Sequence, residues 1–385
     1  MASQTSVPKN SKIIIIRFIQ ITLTISALAA CTEPEYSNSV QRPWDHLLLS
    51  HTETNDSQGS YKQSAIDLWD VNPALQPLDP LLRDGNEVDV SYGQHSQNIL
   101  DFWLADTANL SPVAVFIHGG GFVAGDKRDL SPSIRIKLLA AGISVAAINY
   151  RFISTDPMPA PMLDAGRAIQ FLRDKGCEWR IDPTRIGAFG ASAGACICMW
   201  LGMHPDLADP ESHDSVKRSS TRLQAIGSSG GQSSLDPLWI LKWFPGGNTH
   251  LHPNLPLMYA CTDFDELCTK PVRNLIEEMS AINHVSSLDP PIYMVYNQRN
   301  NPLASDAPPR DGIHHPMFGI KMKKALDEVG VEAVLVIRNE PETYDPYGSV
   351  VNFLVTKLLD PDYATNHHAC DTGYAKTYML ETQDR

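Results

Sequence analysis

One serine of this chain lies in a pentapeptide that is typical of activated nucleophiles. Gly190-Ala191-Ser192-Ala193-Gly194 falls between an apolar strand pattern and a helix pattern. At such a junction, GxSxG forms a tight turn that strains the serine backbone and lets strand and helix pack closely. The alternative is an ordinary glycine-rich turn. The motif predicts that Ser192 presents its hydroxyl at the carboxyl edge of a sheet, where it can attack a carbonyl carbon.

A second motif supplies the hydrogen-bond donors that such an attack needs. His118-Gly119-Gly120-Gly121-Phe122 directly follows the strand pattern Val113–Ile117. Successive glycines let the backbone approach a ligand and turn its N–H groups inward, where they stabilise the oxyanion of a tetrahedral intermediate. We expect these donors to be Gly120, Gly121 and Ala193. HGGG arises by chance less often than GxSxG, and the two motifs together predict a serine hydrolase.

Strand and helix patterns alternate around these motifs. From Glu87 onward, short β-branched or aromatic runs alternate with helical patterns, which is typical of an α/β protein with a mostly parallel sheet. The expected strands are Glu87–Tyr92, Ile99–Ala105, Val113–Ile117, Ser144–Asn149, Arg185–Phe189, Leu223–Ile226, Ile292–Tyr296 and Ala333–Ile337. The expected helices are Pro161–Lys175, Ala193–Met203, His315–Val329 and Tyr347–Leu359.

One stretch, at about 233–281, fits neither pattern and is a candidate cap insertion over the site. It contains Trp239, Trp243 and Phe244. These aromatic residues could line an apolar acyl or alcohol pocket, and buried packing would explain them equally well.

Several motifs give the chain a family resemblance. It resembles the HGGG-type carboxylesterases of the α/β-hydrolase superfamily, that is, the hormone-sensitive lipase group and its bacterial feruloyl-esterase-like relatives. The resemblance runs from about Glu87 to Leu359 and is carried by HGGGF, Asn149-Tyr150-Arg151, Asp164-Ala165, and Ile181-Asp182-Pro183-Thr184-Arg185-Ile186 before GASAG. It implies an eight-stranded, mostly parallel sheet flanked by helices, ester hydrolysis through an acyl-enzyme, and no metal or organic cofactor. In this family the residue at His118 positions the glycine loop and has no acid–base role.

The chain departs from this family where the acid and the base should be. A serine nucleophile needs a base to accept its proton and a carboxylate to orient that base. The family places them after the last two strands, in the order Ser, Asp, His. Here the first segment, Asn297–Pro302, offers Asn300 or Asn301, and the second, Asn339–Pro346, contains no histidine.

Other residues are candidates for both roles. His314 and His315 begin the helix after the seventh strand, at the sheet edge that carries the nucleophile. Asp306 and Asp311 precede them and could orient one of them, although helix capping and packing beside Pro316 would also explain the histidines. Further candidates are the bases His367, His368, His250 and His252 and the acid Asp236. Without a base, the protein would be a catalytically impaired binding protein on the same fold.

Length and composition predict one catalytic domain with added termini. The chain has 385 residues, of which 43% are hydrophobic and 19% charged. Its formal net charge of −13 would repel phosphate backbones, so nucleic acid is excluded as a partner and a small uncharged or cationic ester is favoured. We expect a tether at 31–60, the hydrolase domain at 61–362 and a C-terminal tail at 363–385.

The first 30 residues have the order of an export signal. Basic residues precede the apolar run Phe18–Leu28, which is too short for a comfortable membrane span. Leu28-Ala29-Ala30-Cys31 resembles a bacterial lipoprotein processing site, so we expect lipidation of Cys31 and a membrane-anchored protein of the cell envelope. A plain signal peptide cut near Ala29 or Ala30, giving a periplasmic or secreted protein, and a retained anchor are the alternatives.

The remaining cysteines suggest pairing in an oxidising compartment. Cys261 and Cys268 form the closest pair outside the nucleophile region. Cys196 and Cys198 are equally explained as small buried apolar residues. No CxxC or Cys/His spacing indicates a zinc site.

Overall fold

An eight-stranded sheet forms the centre of the protein, with the strand order β1-β2-β4-β3-β5-β6-β7-β8. The computed structural model describes residues 87–244, 251, 254–304, 309–340 and 343–360. The strands are β1 Glu87–Ser91, β2 Ile99–Trp103, β3 Ser111–Ile117, β4 Ser144–Ile148, β5 Ile181–Ala191, β6 Ile226–Ser229, β7 Ile292–Tyr296 and β8 Ala333–Ile337. β2 pairs antiparallel with β1 and β4, and the other pairs are parallel. The predicted α/β-hydrolase architecture is confirmed.

The central strands are apolar on both sides because helices cover both faces of the sheet. All seven residues of β3 are buried. Val113, Val115 and Ile117 enter one hydrophobic core, whereas Ala114 and Phe116 enter the core on the opposite face. This alternation follows from the two-residue period of a strand. β3 is the fourth of eight strands in the sheet, so the HGGG motif that follows it begins near the middle of one sheet edge.

Helices connect the strands and close both cores. They are α1 Pro132–Ala140, α2 Ala160–Asp174, α3 Ala193–Met203, α4 Ser215–Arg218, α5 Pro237–Trp243, α6 Leu255–Met258, α7 Lys270–Glu278, α8 Pro309–Ile313, α9 Met317–Glu328 and α10 Val350–Leu358. Short 3₁₀ turns lie at Lys127–Asp129, Glu266–Cys268 and Ala281–His284. α10 buries Val350, Val351, Phe353, Leu354 and Leu358. The predicted buried face of this last helix is therefore confirmed.

The sixth strand lies later in the chain than its sequence pattern predicts. β6 spans Ile226–Ser229 rather than Leu223–Ile226, and Ser228 pairs with Gly190 of β5. The residues Gly227, Ser228 and Ser229 have weak strand propensity by themselves. Burial between β5 and β7 overrides that propensity, and it brings β6 level with the nucleophile motif.

The stretch predicted as a cap is largely helical where it is described. α5, α6 and α7 lie between β6 and β7. Phe244, Leu255 and Met258 are buried in the same core as α3, whereas Trp239 is 45% exposed. Phe244 packs against Phe318 with the ring centroids 5.5 Å apart. Buried packing thus accounts for Phe244, and covering the site remains a prediction for this stretch.

Two of the described cysteines take part in disulfides, and they are not the two that lie closest in sequence outside the nucleophile region. Cys177 and Cys268 are disulfide-bonded. Cys261 is a free thiol that donates to the Tyr259 carbonyl oxygen at 3.5 Å, so the candidate pair Cys261–Cys268 does not form. Cys196 is a free thiol in α3, and burial raises its pKa to about 12. Packing as a small apolar side chain is the interpretation that fits this residue.

Some predicted features lie outside the described residues. They are the signal and tether segments with Cys31, the C-terminal tail with His367 and His368, and the residues Asp306, His250 and His252. Within the described ranges, none of the helices combines the length and the apolar character needed to cross a membrane.

Candidate active site

Ser192 occupies a strained turn between β5 and α3. Its backbone has φ 52° and ψ −117°, in a region that costs a non-glycine residue about 1–3 kcal/mol. The turn is held by two hydrogen bonds. The Ser192 N–H donates to the Ser229 carbonyl oxygen at 2.8 Å, and the Ser192 carbonyl oxygen accepts from the Cys196 N–H at 2.9 Å. The half-buried side chain is therefore fixed at the carboxyl edge of the sheet, as GxSxG predicts.

The glycines of this turn are required by a close contact with β3. A Cβ atom on Gly190 would lie 2.5 Å from the Ile117 carbonyl oxygen, and one on Gly194 would lie 2.0 Å from the same oxygen. Neither position can hold a side chain unless β3 moves. The nucleophile turn and the end of β3 are thus in direct backbone contact.

The glycine loop begins at that contact and folds back over the serine. A Cβ atom on Gly119 would lie 2.8 Å from the Ala191 carbonyl oxygen and 3.4 Å from Ser192 Cβ. Gly120 and Gly121 have φ values of 107° and 61°, which favour glycine. Within the described ranges, no protein acceptor receives the N–H groups of Gly120, Gly121 or Ala193. The role of these three N–H groups as oxyanion donors stays a prediction.

His118 helps to hold the glycine loop in place. It is fully buried and stacks on Tyr150 with the ring centroids 4.3 Å apart. Burial lowers its pKa, so the ring is neutral, and Nδ1–H donates to the Gly119 carbonyl oxygen at 2.7 Å. Tyr150, whose hydroxyl donates to the His118 carbonyl oxygen at 2.9 Å, is a positioning residue that the sequence analysis missed. The available signal was its location just after β4, the neighbour of β3.

A histidine from the connection after β7 contacts the nucleophile. His314 Nε2 lies 2.9 Å from Ser192 Oγ. His314 directly follows the short helix α8, which comes after β7 along the chain. The distance is within the range expected for a nucleophile and its general base. The structure therefore brings one of the two adjacent candidate histidines to the serine.

His315 has a different environment and does not contact Ser192. Its Nε2–H donates to the Asn301 carbonyl oxygen at 2.9 Å, and its Nδ1 accepts from the Met317 N–H at 3.1 Å. Burial lowers its pKa, so the ring is neutral. Both ring nitrogens are engaged in holding the start of α9. The inclusion of His315 among the catalytic candidates is thus corrected by the structure, which gives it a packing role.

The candidate acids differ in how far the structure constrains them. Asp311 lies in α8, three residues before His314, and Asp306 is outside the described residues. Asp236 is buried and accepts from both terminal nitrogens of Arg273, at 2.8 and 2.6 Å. It also caps α5 by accepting from the Leu238 N–H at 2.8 Å. Asp236 is therefore committed to a structural ion pair and is a wrong candidate, and the assignment to Asp311 or Asp306 stays a prediction.

The chain matches a known protein family and is similar to two named mycobacterial proteins. The BD-FAE family model matches residues 100–305. The chain is similar to the probable carboxylic ester hydrolase LipM of Mycobacterium tuberculosis, with 26% identity over 275 residues that cover 70% of this chain and 59% of that protein. It is 34% identical over 101 residues to the esterase LipI of the same organism, covering 26% of this chain and 32% of that protein. The chain thus spans less than two thirds of these relatives.

Solved structures match the fold at low sequence identity. A truncated carbohydrate esterase from gut microbiota matches with a TM-score of 0.52 and 20% identity, covering 66% of this chain and 86% of that one. A bifunctional GH43-CE protein of Bacteroides eggerthii matches with a TM-score of 0.53 and 19% identity, covering 72% of this chain and 36% of that one. At these identities the similarity concerns the fold alone.

Proposed function

The chain belongs to the BD-FAE family, and on this premise we propose that it is a serine carboxylic-ester hydrolase that acts through an acyl-enzyme on Ser192. The observation that carries the proposal is the hydrogen bond of 2.9 Å between His314 Nε2 and Ser192 Oγ. It supplies the base that a serine hydroxyl needs to become nucleophilic at neutral pH. The curated relatives named as ester hydrolases support the same reaction class.

The first half of the reaction forms the acyl-enzyme. Ser192 Oγ attacks the ester carbonyl carbon while its proton passes to His314 Nε2. We expect the resulting oxyanion to accept hydrogen bonds from the N–H groups of Gly120, Gly121 and Ala193, which have no acceptor among the described residues. Collapse of the tetrahedral intermediate breaks the bond to the alcohol oxygen, and the His314 imidazolium returns the proton to that oxygen.

The second half releases the acid. Water attacks the acyl carbonyl carbon and passes a proton to His314, the same donors stabilise the second oxyanion, and the bond to Ser192 Oγ breaks as the proton returns to it. A carboxylate from Asp311 or Asp306 orients His314 and stabilises the imidazolium. The substrate is a small uncharged or cationic ester, in keeping with the net charge of −13.

The rival proposal is a catalytically impaired binding protein on the same fold. It rests on the segment after β8, which has no histidine between Asn339 and Pro346. The contact between His314 and Ser192 favours the hydrolase, because a base reaches the nucleophile from the preceding connection, after β7. A carbonyl-binding cleft would need no such base.

Paired labelling and turnover measurements test the proposal. The protein should react with a fluorophosphonate probe and hydrolyse p-nitrophenyl acetate, and Ser192→Ala should abolish both. His314→Asn should lower kcat by about 10⁴-fold or more, the size of effect seen when a hydrolase loses its base. His315→Asn is the matched control, whose residual kcat should be far higher once its folded fraction is measured. If the wild-type protein shows no labelling by the probe and no turnover of the ester, the hydrolase proposal is refuted.

We also propose that the protein is exported and held at a bacterial membrane by lipidated Cys31. Disulfide-bonded Cys177 and Cys268 support export, since disulfides persist mainly in oxidising compartments. Cys31→Ser should shift the protein from the membrane fraction to the soluble one or leave it unprocessed. Normal processing and unchanged membrane retention would contradict the anchor.

A further inference from the structure

Three metal-ligating side chains meet at the end of the nucleophile helix that is remote from Ser192. His204 directly follows α3, Glu278 ends α7, and His284 ends the 3₁₀ turn Ala281–His284. One nitrogen or carboxylate oxygen from each lies within 4.8 Å of the others. α3 begins at Ala193, so about 16 Å of helix separates this cluster from the nucleophile. The cluster has no part in the proposed ester chemistry.

Backbone carbonyl groups orient both imidazole rings of the cluster. His204 Nδ1 lies 2.7 Å from the Pro205 carbonyl oxygen, and His284 Nε2 lies 2.8 Å from the Glu278 carbonyl oxygen. A carbonyl oxygen only accepts, so each ring donates an N–H there. Metal-binding histidines characteristically use one nitrogen in this way, which fixes the ring and points the lone pair of the other nitrogen at the metal. The remaining nitrogens are Nε2 of His204 and Nδ1 of His284.

The third ligand approaches one of these nitrogens directly. His204 Nε2 lies 2.6 Å from Glu278 Oε1. A nitrogen lone pair and a carboxylate oxygen come this close only with a positive species between them, either a proton or a metal ion. Two ligands of a tetrahedral zinc ion, each about 2.0–2.1 Å from the metal, are roughly 3.3 Å apart. The Glu278 side chain is 26% exposed, so its carboxylate has room to withdraw by that small difference.

Aromatic packing holds the cluster in place. The His204 ring lies on Trp200 with the centroids 4.2 Å apart and meets the edge of His284 at 4.9 Å. Trp200 Nε1–H donates to the Glu278 carbonyl oxygen at 2.8 Å, the same oxygen that accepts from His284. Because the rings and the backbone are fixed by these contacts, little ordering is needed when an ion enters.

We propose that His204, Glu278 and His284 bind a divalent transition-metal ion, with zinc the best match. Two imidazoles and one carboxylate suit zinc and its neighbours, whereas calcium and magnesium prefer oxygen ligands throughout. Water completes the fourth position. The ion joins the end of α3 to the segment that precedes β7, so it stabilises the fold instead of entering the reaction.

Metal titration of the full-length chain tests the proposal. The chain holds 13 histidines, so the comparison is between variants. After chelator treatment and dialysis, the wild-type protein should bind one Zn²⁺ ion more than His284→Gln or Glu278→Gln. The affinity of that site should fall at least about 100-fold in both variants, and Mg²⁺ should not compete. His213→Gln, at an exposed histidine elsewhere, is the matched control and should bind like the wild type.

A second measurement covers the case in which a variant folds poorly. Co²⁺ bound to the wild-type protein should give visible absorption bands of a site with nitrogen and oxygen ligands, and Zn²⁺ should displace them and raise Tm. Glu278→Gln keeps the size of the side chain and should lose these bands while retaining the wild-type circular dichroism. Equal Zn²⁺ stoichiometry and affinity in all four proteins, or unchanged Co²⁺ bands in both ligand variants, would overturn the site. Esterase assays play no part in this outcome.

Discussion

His314 Nε2 lies 2.9 Å from Ser192 Oγ, although the two residues are 122 positions apart in the chain. The nucleophile is set by the turn after β5, and the histidine by the short helix α8 between β7 and α9. In the family resemblance, the base was expected after β8. The histidine that contacts the serine therefore comes from an earlier connection.

In the proposed mechanism, a carboxylate from Asp311 or Asp306 orients His314. Asp311→Asn and Asp306→Asn keep side-chain volume but remove the charge that stabilises an imidazolium. We expect one of these exchanges to lower kcat by about 10³–10⁴-fold, as happens when a triad loses its acid. Steady-state hydrolysis of p-nitrophenyl acetate, with circular dichroism to verify folding, distinguishes them. If both variants keep kcat within tenfold of the wild type, the acid lies elsewhere.

Two neighbouring glycines of the loop should respond differently to the same added methyl group. A Cβ atom on Gly120 would lie 2.0 Å from the Ala124 carbonyl oxygen, whereas one on Gly121 meets no atom within 4 Å. Gly120→Ala should lower both Tm and kcat strongly because the loop must move. Gly121→Ala should cost only the strain of its positive φ, about 1–2 kcal/mol of unfolding free energy. Equal losses of Tm in the two variants would contradict the loop geometry.

The Tyr150 hydroxyl should matter for the glycine loop. Tyr150→Phe keeps the ring stacked on His118 but removes the buried donor to the His118 carbonyl oxygen. Leaving that oxygen unpaired should cost about 1–3 kcal/mol of unfolding free energy. The loss is measurable by urea unfolding, and kcat should fall with KM little changed. Tyr344→Phe, at a tyrosine that is 81% exposed, should be neutral in both assays.

Stability should decline in mild acid because two histidines are buried in their neutral form. Burial lowers the pKa of His118 and of His315 below the ordinary value of 6.5. The unfolded chain therefore binds more protons than the folded one as the pH falls below about 6.5, and protonation favours unfolding. Urea unfolding at pH 7.5 and pH 5.5 should give the lower free energy at pH 5.5.

Two variants test whether His315 contributes to the pH dependence of stability. His315→Gln removes one buried titrating group, so its unfolding free energy should fall less between the two pH values than that of the wild type. His213→Gln, at an exposed position, should keep the wild-type dependence. A stability that does not change between pH 7.5 and pH 5.5, in the wild type and in His315→Gln alike, would contradict the lowered pKa of these two rings in the folded protein.

The sequence predicted the parts of the site that depend on local chemistry. GASAG and HGGGF contain glycine where backbone atoms touch or where φ is positive, so both turns could be predicted from the sequence. The sequence could not predict which of His314 and His315 contacts Ser192. Adjacent side chains point in different directions, and these directions depend on how α8 and α9 pack. The sequence also could not predict that β6 extends to Ser229. Burial between two strands overrides the weak strand propensity of Gly227 and Ser228.

Contacts between distant segments account for the remaining differences. Cys261 and Cys268 are close in sequence, but only Cys268 is disulfide-bonded. His204 and Glu278 are 74 positions apart, and no spacing rule for zinc detects a site assembled from such separate segments. Asp236 follows β6, where a catalytic acid could lie, but its carboxylate forms an ion pair with Arg273.

The backbone contact between Ile117 and the two glycines of the nucleophile turn has an evolutionary consequence. Gly190 and Gly194 both lie close to the Ile117 carbonyl oxygen, so the positions of the serine turn and of the glycine loop depend on each other. A substitution that displaces either partner displaces both, so this contact tolerates little inherited variation. We therefore expect substitutions that change ligand preference to lie outside this contact, and family members that differ in ligand preference should still share this oxygen-to-glycine packing.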